Sequence, residues 1–400
     1  MSLRRPLLLA ACALSAWATL GDAQVARDSA GVRLVSYPRT AKPRATWRLS
    51  TQPRLILGSS ENPVAQFAAV RGVVRLTDGR VAVANGSSNE IRLFSPEGMF
   101  LRALGRAGSG PGEFRRITRL LRIGDTLIGV DGDSRAHVFD PNGQLVRSLR
   151  PARRAGSRNP QRIGIGVGGT SYVLVTEGSP TAERERQLIM QTLALSDAAG
   201  DSLIPLIAFP GYRTNPINGA PARLLLDAEG VAAASEFGAC VGYSDRFVLT
   251  CYDRSGRARL RIARETASRA VREEERAMVR QAYLDANQDA PPSVRRQMAT
   301  AVQDFPFASM APVFSRLLLR ADGELWVSPF DPGFGLPGPA APLAPSTTHT
   351  WSVFASDGTW LAEMPLPPRF IPFDVGRDYV AGVAFDEDDV ERVVVWGLRR

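Results

Sequence analysis

Arginines recur at a nearly constant distance before turn residues, and they are the side chains of this sequence best suited to binding chemistry. A guanidinium group presents its N–H donors in a planar fork that matches the oxygens of a carboxylate or a phosphate. Four arginines lie six residues before an Asp-Gly-type turn, and a fifth lies seven residues before one. They are Arg119, Arg162, Arg223 and Arg316, before Asp125, Gly168, Glu229 and Asp322, and Arg71, before Asp78. If the fold brings them together, they form a site for an anionic ligand.

The composition offers few residues from which a histidine-based site or a metal site could be built. The chain has only two histidines, His137 and His349, so a site built from several imidazoles is excluded. Ca²⁺ takes about six to eight oxygen ligands. Two acidic clusters, 131–133 and 386–389, could supply some of them, but both lie in predicted turns, where Asp is common for backbone reasons. We therefore predict no catalytic residue and no cofactor, with Ca²⁺ at unknown ligands as the alternative that stays open.

The glycine-rich stretch Gly105–Gly112 raises the question of a phosphate-binding loop. Such a loop follows a strand, precedes a helix and usually carries a lysine. Here a strand follows the stretch and no lysine is present. The sequence favours a tight connection in which only glycine tolerates the backbone angles.

The elements that must position the arginines are short strands separated by turns. The segment Val70–Phe114 contains four β-branched or apolar runs, with turns at Asp78-Gly79 and at Pro96-Glu97-Gly98. Four antiparallel strands in about 45 residues form one propeller blade, and blades occur in series. The fold class predicted is therefore an all-β, six-bladed β-propeller with four-stranded antiparallel blades.

Five further units of this kind follow the first along the chain. They are predicted at Ile117–Arg150, Arg162–Pro210, Arg223–Ala263, Phe314–Met364 and Phe373–Leu398. The sixth unit holds only three clear strands, so we expect part of residues 31–57 to supply its fourth and to close the ring. Residues 24–400 then form one propeller domain.

A helical insertion, residues 265–310, interrupts the strands between blades 4 and 5. Apolar residues recur at helical spacing in Glu265–Ala290, and again after the break at Pro291-Pro292. Two amphipathic helices are expected. They could cover the channel mouth as a lid or pack on the outer rim, and the pattern does not decide between these.

The propeller gives the arginine register a structural meaning. The first strand of each blade lines the central channel, so the five arginines would form a positive ring at one channel mouth. Two alternatives stay open. Each arginine could instead pair with an Asp or Glu of a neighbouring blade, and arginine is so common here that the register could arise by chance.

The N-terminus has the pattern of a signal peptide, residues 1–23. Arg4 and Arg5 precede an apolar core, and Gly21-Asp22-Ala23 supplies small residues before the predicted cleavage site. A lipoprotein signal with Cys12 lipidated is the alternative. Either pattern predicts a secreted or periplasmic protein.

The two remaining cysteines, Cys240 and Cys251, flank a predicted hairpin turn. In an oxidising compartment they could form a disulfide, and the alternative is two buried thiols.

Two motifs carry a resemblance to a known family. Residues 131–143, with Asp131, His137 and Gly143, resemble the strand signature of NHL repeats, and Gly110-Pro111-Gly112-Glu113-Phe114 resembles their inter-blade loop. The mature chain resembles secreted bacterial six-bladed propellers related to NHL-repeat proteins. This resemblance implies the fold and a binding role, and it implies no reaction.

We therefore expect a secreted or periplasmic binding module, with a protein, peptide or small anionic ligand at the channel mouth. A propeller enzyme, either a metal-dependent lactonase or hydrolase or a lyase, is the alternative. The net charge of +9 comes from arginines interspersed with acidic residues, so no nucleic-acid partner is predicted. No internal apolar run is long enough for a transmembrane helix, and a monomer is expected.

Overall fold

The computed structural model describes residues 24–58, 63–150, 157–165, 170–177, 187–197, 199, 202–217, 220–333 and 348–400. The predicted signal peptide, with Cys12, lies outside these residues, as do the turn at Gly168 and most of the Pro/Gly-rich loop after Pro329. Within the described ranges the strands form six large sheets and one small two-stranded sheet.

The chain begins with four strands that join sheets formed much later in the sequence. These strands are β1 (Val25–Ser29), β2 (Val32–Tyr37), β3 (Ala45–Thr46) and β4 (Arg48–Leu57).

The first three sheets follow in chain order as blades 1 to 3. Blade 1 consists of β5 (Val70–Arg75), β6 (Val81–Asn85), β7 (Glu90–Phe94) and β8 (Phe100–Leu104). The small parallel pair β9 (Arg106–Ala107) and β10 (Glu113–Phe114) links it to the next blade. Blade 2 consists of β11 (Ile117–Ile123), β12 (Thr126–Asp131), β13 (Ala136–Phe139) and β14 (Leu145–Leu149). Blade 3 consists of β15 (Ser157–Ile165), β16 (Ser171–Glu177), β17 (Gln187–Ser196), β18 (Leu203–Ile217) and β19 (Ala220–Arg223).

The second half of the chain contains the two helices and blades 4 to 6. Blade 4 consists of β20 (Gly230–Ala234), β21 (Ala239–Tyr243), β22 (Phe247–Tyr252) and β23 (Ala258–Arg264), followed by α1 (Glu273–Asp285) and α2 (Pro292–Ala301). Blade 5 consists of β24 (Phe314–Leu319), β25 (Leu325–Pro329), β26 (His349–Phe354) and β27 (Trp360–Leu366). Blade 6 consists of β28 (Phe370–Val375), β29 (Tyr379–Phe385) and β30 (Glu391–Arg399), with β4 as its fourth strand.

Turn chemistry explains why the strands begin and end where they do. In blade 1, Gly79 and Gly98 have φ of +93° and +90°, a left-handed conformation that glycine adopts without strain. The carboxylate of Asp78 accepts the backbone N–H of Arg80 at 3.0 Å, which fixes the same turn. These local signals are why the hairpins could be predicted from the sequence.

The six blades form a ring, and the N-terminal segment closes it. The innermost strands β5, β11, β15, β20, β24 and β28 are neighbours in that order, and β28 returns to β5. β4 pairs antiparallel with β30, with Leu57 opposite Val393 and Leu55 opposite Val395. The predicted fold class is confirmed, and so is the expected closure by residues 31–57. β1 and β2 extend the outer edge of blade 4, and β3 extends that of blade 5.

The predicted start of the fourth unit at Arg223 was wrong. Residues 224–226 form no strand of this blade, and its innermost strand is β20. Arg223 ends β19, a fifth strand at the outer edge of blade 3. Leu225 exchanges backbone hydrogen bonds with the insertion instead, donating to Pro306 at 2.8 Å and accepting from Ala308 at 2.9 Å.

The helical insertion begins later than the apolar spacing indicated, because α1 starts at Glu273. The preceding residues are extended and pair with the returning chain: Ala270 is bridged to Met310, and Ala311 N–H donates to the carbonyl of Arg269 at 2.9 Å. The helices pack against Leu224, Leu225 and Leu226, just before β20. Since every innermost strand runs in the same direction, the insertion lies on the propeller face where these strands begin.

Blade 4 carries a disulfide between Cys240 and Cys251, which lie opposite each other on β21 and β22 with their Cα atoms 4.0 Å apart. Their separation of 11 residues closes a short loop. A chain-entropy model gives such a cross-link about 3 kcal/mol of stability.

Reduction should therefore lower the free energy of unfolding by about 3 kcal/mol. Urea unfolding with and without a reductant measures this change. A Cys240→Ala/Cys251→Ala variant is the control, because its transition should not respond to the reductant. Equal transitions of the wild-type chain in both buffers would contradict the cross-link.

Candidate functional site

Register shifts interrupt the regular alternation of side chains in the innermost strands. Five of the six contain a register shift in their pairing with the second strand of the blade. In β11 the shift falls between Ile117 and Arg119, and in β24 it falls between Phe314 and Leu317. A bulge of this kind turns a side chain away from the strict alternation of a strand.

Arg119 and Arg316 come from β11 and β24, which lie opposite each other in the ring of six innermost strands. Burial and, second to it, the positive charge of Arg119 lower the pKa of Arg316 to about 9. Burial also lowers the pKa of Arg119. The positive charge of Arg119 therefore acts on Arg316 across the channel.

A carboxyl group and an aromatic ring lie beside Arg316. Asp331 is the acidic neighbour of Arg316, and burial raises the pKa of Asp331 although Arg316 opposes the shift. The Asp331 carboxylate accepts the N–H of Gly333 at 2.9 Å. The guanidinium carbon of Arg316 lies 5.3 Å from the ring centre of Phe373, on β28. We call Arg119, Arg316, Asp331 and Phe373 the channel cluster.

Two of the other predicted arginines have acidic partners of their own. Arg71 is the charged neighbour of Glu391 of blade 6, whose carboxylate accepts the N–H of Val70 at 2.7 Å. Arg223 forms an ion pair with Glu229 and lies 4.9 Å from the ring centre of Tyr212. Burial raises the pKa of Glu229, and Arg223 partly offsets this. Arg71 and Arg223 therefore follow the alternative prediction, in which each arginine pairs with a nearby carboxylate.

Arg162 lies apart from the channel cluster. Its side chain is 1% exposed, and its charged neighbour is Arg147 on β14 of blade 2. The five arginines therefore do not form one ring, and the structure brings together only Arg119 and Arg316. Their role in binding stays a prediction.

A second polar cluster, which the sequence reasoning missed, lies where the innermost strands end. The carboxylate of Asp374 accepts the N–H of Arg75 at 2.9 Å and the hydroxyl of Tyr379 at 2.8 Å. Burial would lower the pKa of Arg122, but the Asp374 carboxylate raises it above its ordinary value. Burial and Asp374 together raise the pKa of Tyr379 strongly. These contacts join blades 6, 1 and 2, and no local pattern could reveal them because Arg75 and Asp374 are 299 residues apart.

The glycine-rich stretch is a structural connection in this fold. The carboxylate of Glu113 accepts the N–H groups of Ser109 at 3.0 Å and Gly110 at 2.8 Å, and the guanidinium of Arg106 at 2.8 Å. The Glu113 side chain thus accepts hydrogen bonds from backbone N–H groups of the loop it follows. Phe114 follows it, fully buried between blades 1 and 2.

In the two acidic clusters, Asp131 and Asp386 bind hydrogen-bond donors of the chain itself. Asp131 accepts the N–H groups of Arg116 at 2.7 Å and Gly132 at 2.9 Å, and the guanidinium of Arg135 at 2.6 Å. Asp386 accepts the N–H of Val390 at 2.9 Å and pairs with Arg392 at 3.1 Å. In the described part of the chain, no group of three or more His, Cys, Asp or Glu side chains is arranged to hold a metal ion.

The two histidines have separate surroundings. His137 is fully buried, and its Nδ1 accepts the N–H of Gly112 at 3.1 Å. Burial lowers its pKa, so the ring is neutral at pH 7. His349 lies in blade 5, with its ring centre 6.5 Å from that of Trp351. None of the helices in the described ranges is long and apolar enough to cross a membrane.

Comparisons with known proteins give similarity to solved structures only. No protein-family model matches the sequence, and no curated protein matches it either. The chain is similar to a Bacteroides fragilis protein assigned as exported, with 10% identity, a TM-score of 0.44, and 92% of this chain and 99% of that chain covered. It is similar to regucalcin, a calcium-binding protein from Agrobacterium tumefaciens, with 9% identity, a TM-score of 0.39, and 88% and 96% covered. A luciferin-regenerating enzyme gives 7% identity, a TM-score of 0.38, and 87% and 96% covered.

At these identities and TM-scores the neighbours carry no argument about a ligand or a reaction. The relation to NHL-repeat proteins stays a prediction. By the strand pairing of its own six blades, the chain is a six-bladed β-propeller.

Proposed function

We propose that the protein is an exported binding module that holds an anionic ligand in its central channel between Arg119 and Arg316. One observation carries this proposal: Arg119 and Arg316, half-buried on opposite innermost strands, lie close enough for the charge of Arg119 to lower the pKa of Arg316. Like charges in a poorly hydrated space destabilise each other, and an anion between them would relieve this.

The composition of the channel cluster supports a ligand with carboxylate or phosphate oxygens. The Asp331 carboxyl, whose pKa burial raises, lies near Arg316. No acidic side chain in the described ranges forms an ion pair with Arg119. Phe373 adds an apolar wall beside Arg316. Charge-assisted hydrogen bonds from two arginines would supply both affinity and orientation.

Export is the second part of the proposal. The signal-like pattern of residues 1–23 supports it, and so does the disulfide of blade 4, because disulfides persist in oxidising compartments. Both the signal-like pattern and the disulfide are consistent with a propeller that binds its ligand outside the cytoplasm.

Titration calorimetry with inorganic phosphate, citrate and glutamate tests the binding proposal. We expect at least one of these probes to bind the wild-type chain, more weakly as salt is added. Arg119→Gln and Arg316→Gln should each weaken that binding about tenfold or more, since each removes charge-assisted hydrogen bonds. Arg246→Gln is the matched control, because Arg246 is 75% exposed and its removal changes the net charge equally.

The unfolding free energies of the ligand-free variants check that the substitutions leave the fold intact. Removing one of two buried like charges should keep the unfolding free energy of Arg119→Gln equal to that of the wild type or raise it by about 1 kcal/mol. Lost binding in that variant would therefore reflect the site and not the fold. Failure of all three probes to bind the wild type, or equal binding by Arg119→Gln, would contradict the proposal.

A further inference from the structure

Arg162 is a buried charge whose donors are largely unused. Its side chain is 1% exposed, and only NH1 makes a hydrogen bond, at 2.6 Å to the hydroxyl of Ser171. Its Nε and NH2 have no hydrogen-bond partner in the described part of the chain. A buried guanidinium without a counter-charge is strongly destabilising.

A second positive charge, that of Arg147, acts on the uncompensated charge of Arg162. Burial lowers the pKa of Arg162 to about 10, and the positive charge of Arg147 acts in the same direction. Arg162 therefore remains protonated at pH 7. Within the described residues, no carboxylate forms an ion pair with it.

The nearby side chains also point to a bound acceptor. Arg162 is opposite Val173 in the pairing of β15 and β16, and Ser171 lies two residues along the same face. Ser196 is directly opposite Ser171 on β17 and is fully buried, and its hydroxyl has no partner in the described structure. Arg147, an exposed residue of β14 in blade 2, lies near enough for its charge to act on Arg162. Arg162 and Ser196 are thus two buried side chains with donors for which the described residues supply no acceptor.

We propose that a single halide-type anion, such as chloride, binds between blades 2 and 3, with Arg162 and Ser196 as its donors. Arg162 and Ser196 are both closed to solvent, which favours a small, weakly hydrated monovalent ion over a phosphate or a carboxylate ligand. This site uses none of the residues of the channel cluster, so it stands independently of the proposed function.

Unfolding equilibria in sodium bromide and in sodium gluconate, at matched ionic strength, test this site. Bromide weakens protein structure in general, whereas well-hydrated salts strengthen it, so stabilisation by bromide would be specific. With a dissociation constant of about 20 mM, about 200 mM bromide should raise the folded-to-unfolded ratio of the wild type about tenfold. Arg162→Met should change less than about twofold, and Ser196→Ala should show a reduced response.

Two controls separate the outcomes. Arg246→Gln should keep the full bromide response, because Arg246 is 75% exposed and belongs to neither proposed anion site. Bromide bound in the channel would act equally on the wild type and on Arg162→Met, so failure of the channel proposal leaves the difference between them unaffected. Arg162→Met should fold at least as well as the wild type in gluconate, since it removes an unpaired buried charge. Equal bromide responses in the wild type and Arg162→Met, or a buried water but no anomalous bromide peak beside Arg162 in crystals, would overturn the proposal.

Discussion

Deletion of residues 24–58 is expected to abolish the cooperative unfolding transition of the chain. This deletion removes β4, which pairs with the outer edge of β30, and it opens the ring between blades 6 and 1. Leu57, on β4, is 4% exposed and packs in one cluster with Phe67, Phe94 and Val393 from both blades. The loss should exceed about 5 kcal/mol, which is the whole stability of many domains.

Urea unfolding followed by circular dichroism measures this effect. Deletion of residues 24–31 is the matched control, because it removes only β1, whose five residues are exposed at the edge of blade 4. The control should keep a cooperative transition, with a stability change below about 1 kcal/mol. A cooperative transition of similar midpoint in both deletions would contradict closure by β4.

Phe114→Ala is expected to cost about 3–5 kcal/mol of unfolding free energy, because a fully buried aromatic ring leaves a cavity when it is removed. The ring of Phe114 packs edge-on against His137, with the ring centres 5.0 Å apart, and joins the core between blades 1 and 2. Phe100→Ala provides a matched control, because Phe100 is 38% exposed and should cost less than about 1.5 kcal/mol. Chemical denaturation gives both values.

Gly129 extends this test to a specific contact. A Cβ atom at Gly129 would lie 2.4 Å from the Phe114 ring, so Gly129→Ala should be strongly destabilising in the wild type. In the Phe114→Ala background the same substitution should cost at least about 1 kcal/mol less. Additive effects of the two substitutions would show that Phe114 does not occupy this position.

Much of the propeller could be predicted because its hairpins carry local signals. Asp78-Gly79 ends the first strand of blade 1 with a side-chain hydrogen bond and a left-handed glycine, and the same chemistry recurs along the chain. The need for a closing strand was also predictable, because blade 6 is one strand short and an open sheet edge is unfavourable.

Pairings between distant segments could not be predicted in this way. Ala267 and Val271 have helical spacing, but this part of the chain is extended because Ala270 and Val271 bond to the returning strand near Met310. Arg223 precedes a turn at the expected distance, yet it belongs to an extra strand of blade 3. Local spacing carries no information about either partner.

The arginine register failed in part for a related reason. A fixed count from a turn places side chains on one face only if the strand alternates regularly. The bulges between Ile117 and Arg119, and between Arg162 and Gly164, change that alternation differently in blades 2 and 3. Arg119 therefore reaches the channel cluster, whereas Arg162 is buried beside blade 2.

Anomalous diffraction from crystals soaked in selenate is the most direct test of an anion bound between Arg119 and Arg316. Selenate has the charge and shape of a phosphate-type ligand, and its selenium atom can be located without ambiguity. We predict a peak within about 4 Å of both guanidinium groups, the separation that direct hydrogen bonds to its oxygens give. Selenium peaks elsewhere on the protein, with none in the channel, would contradict the account.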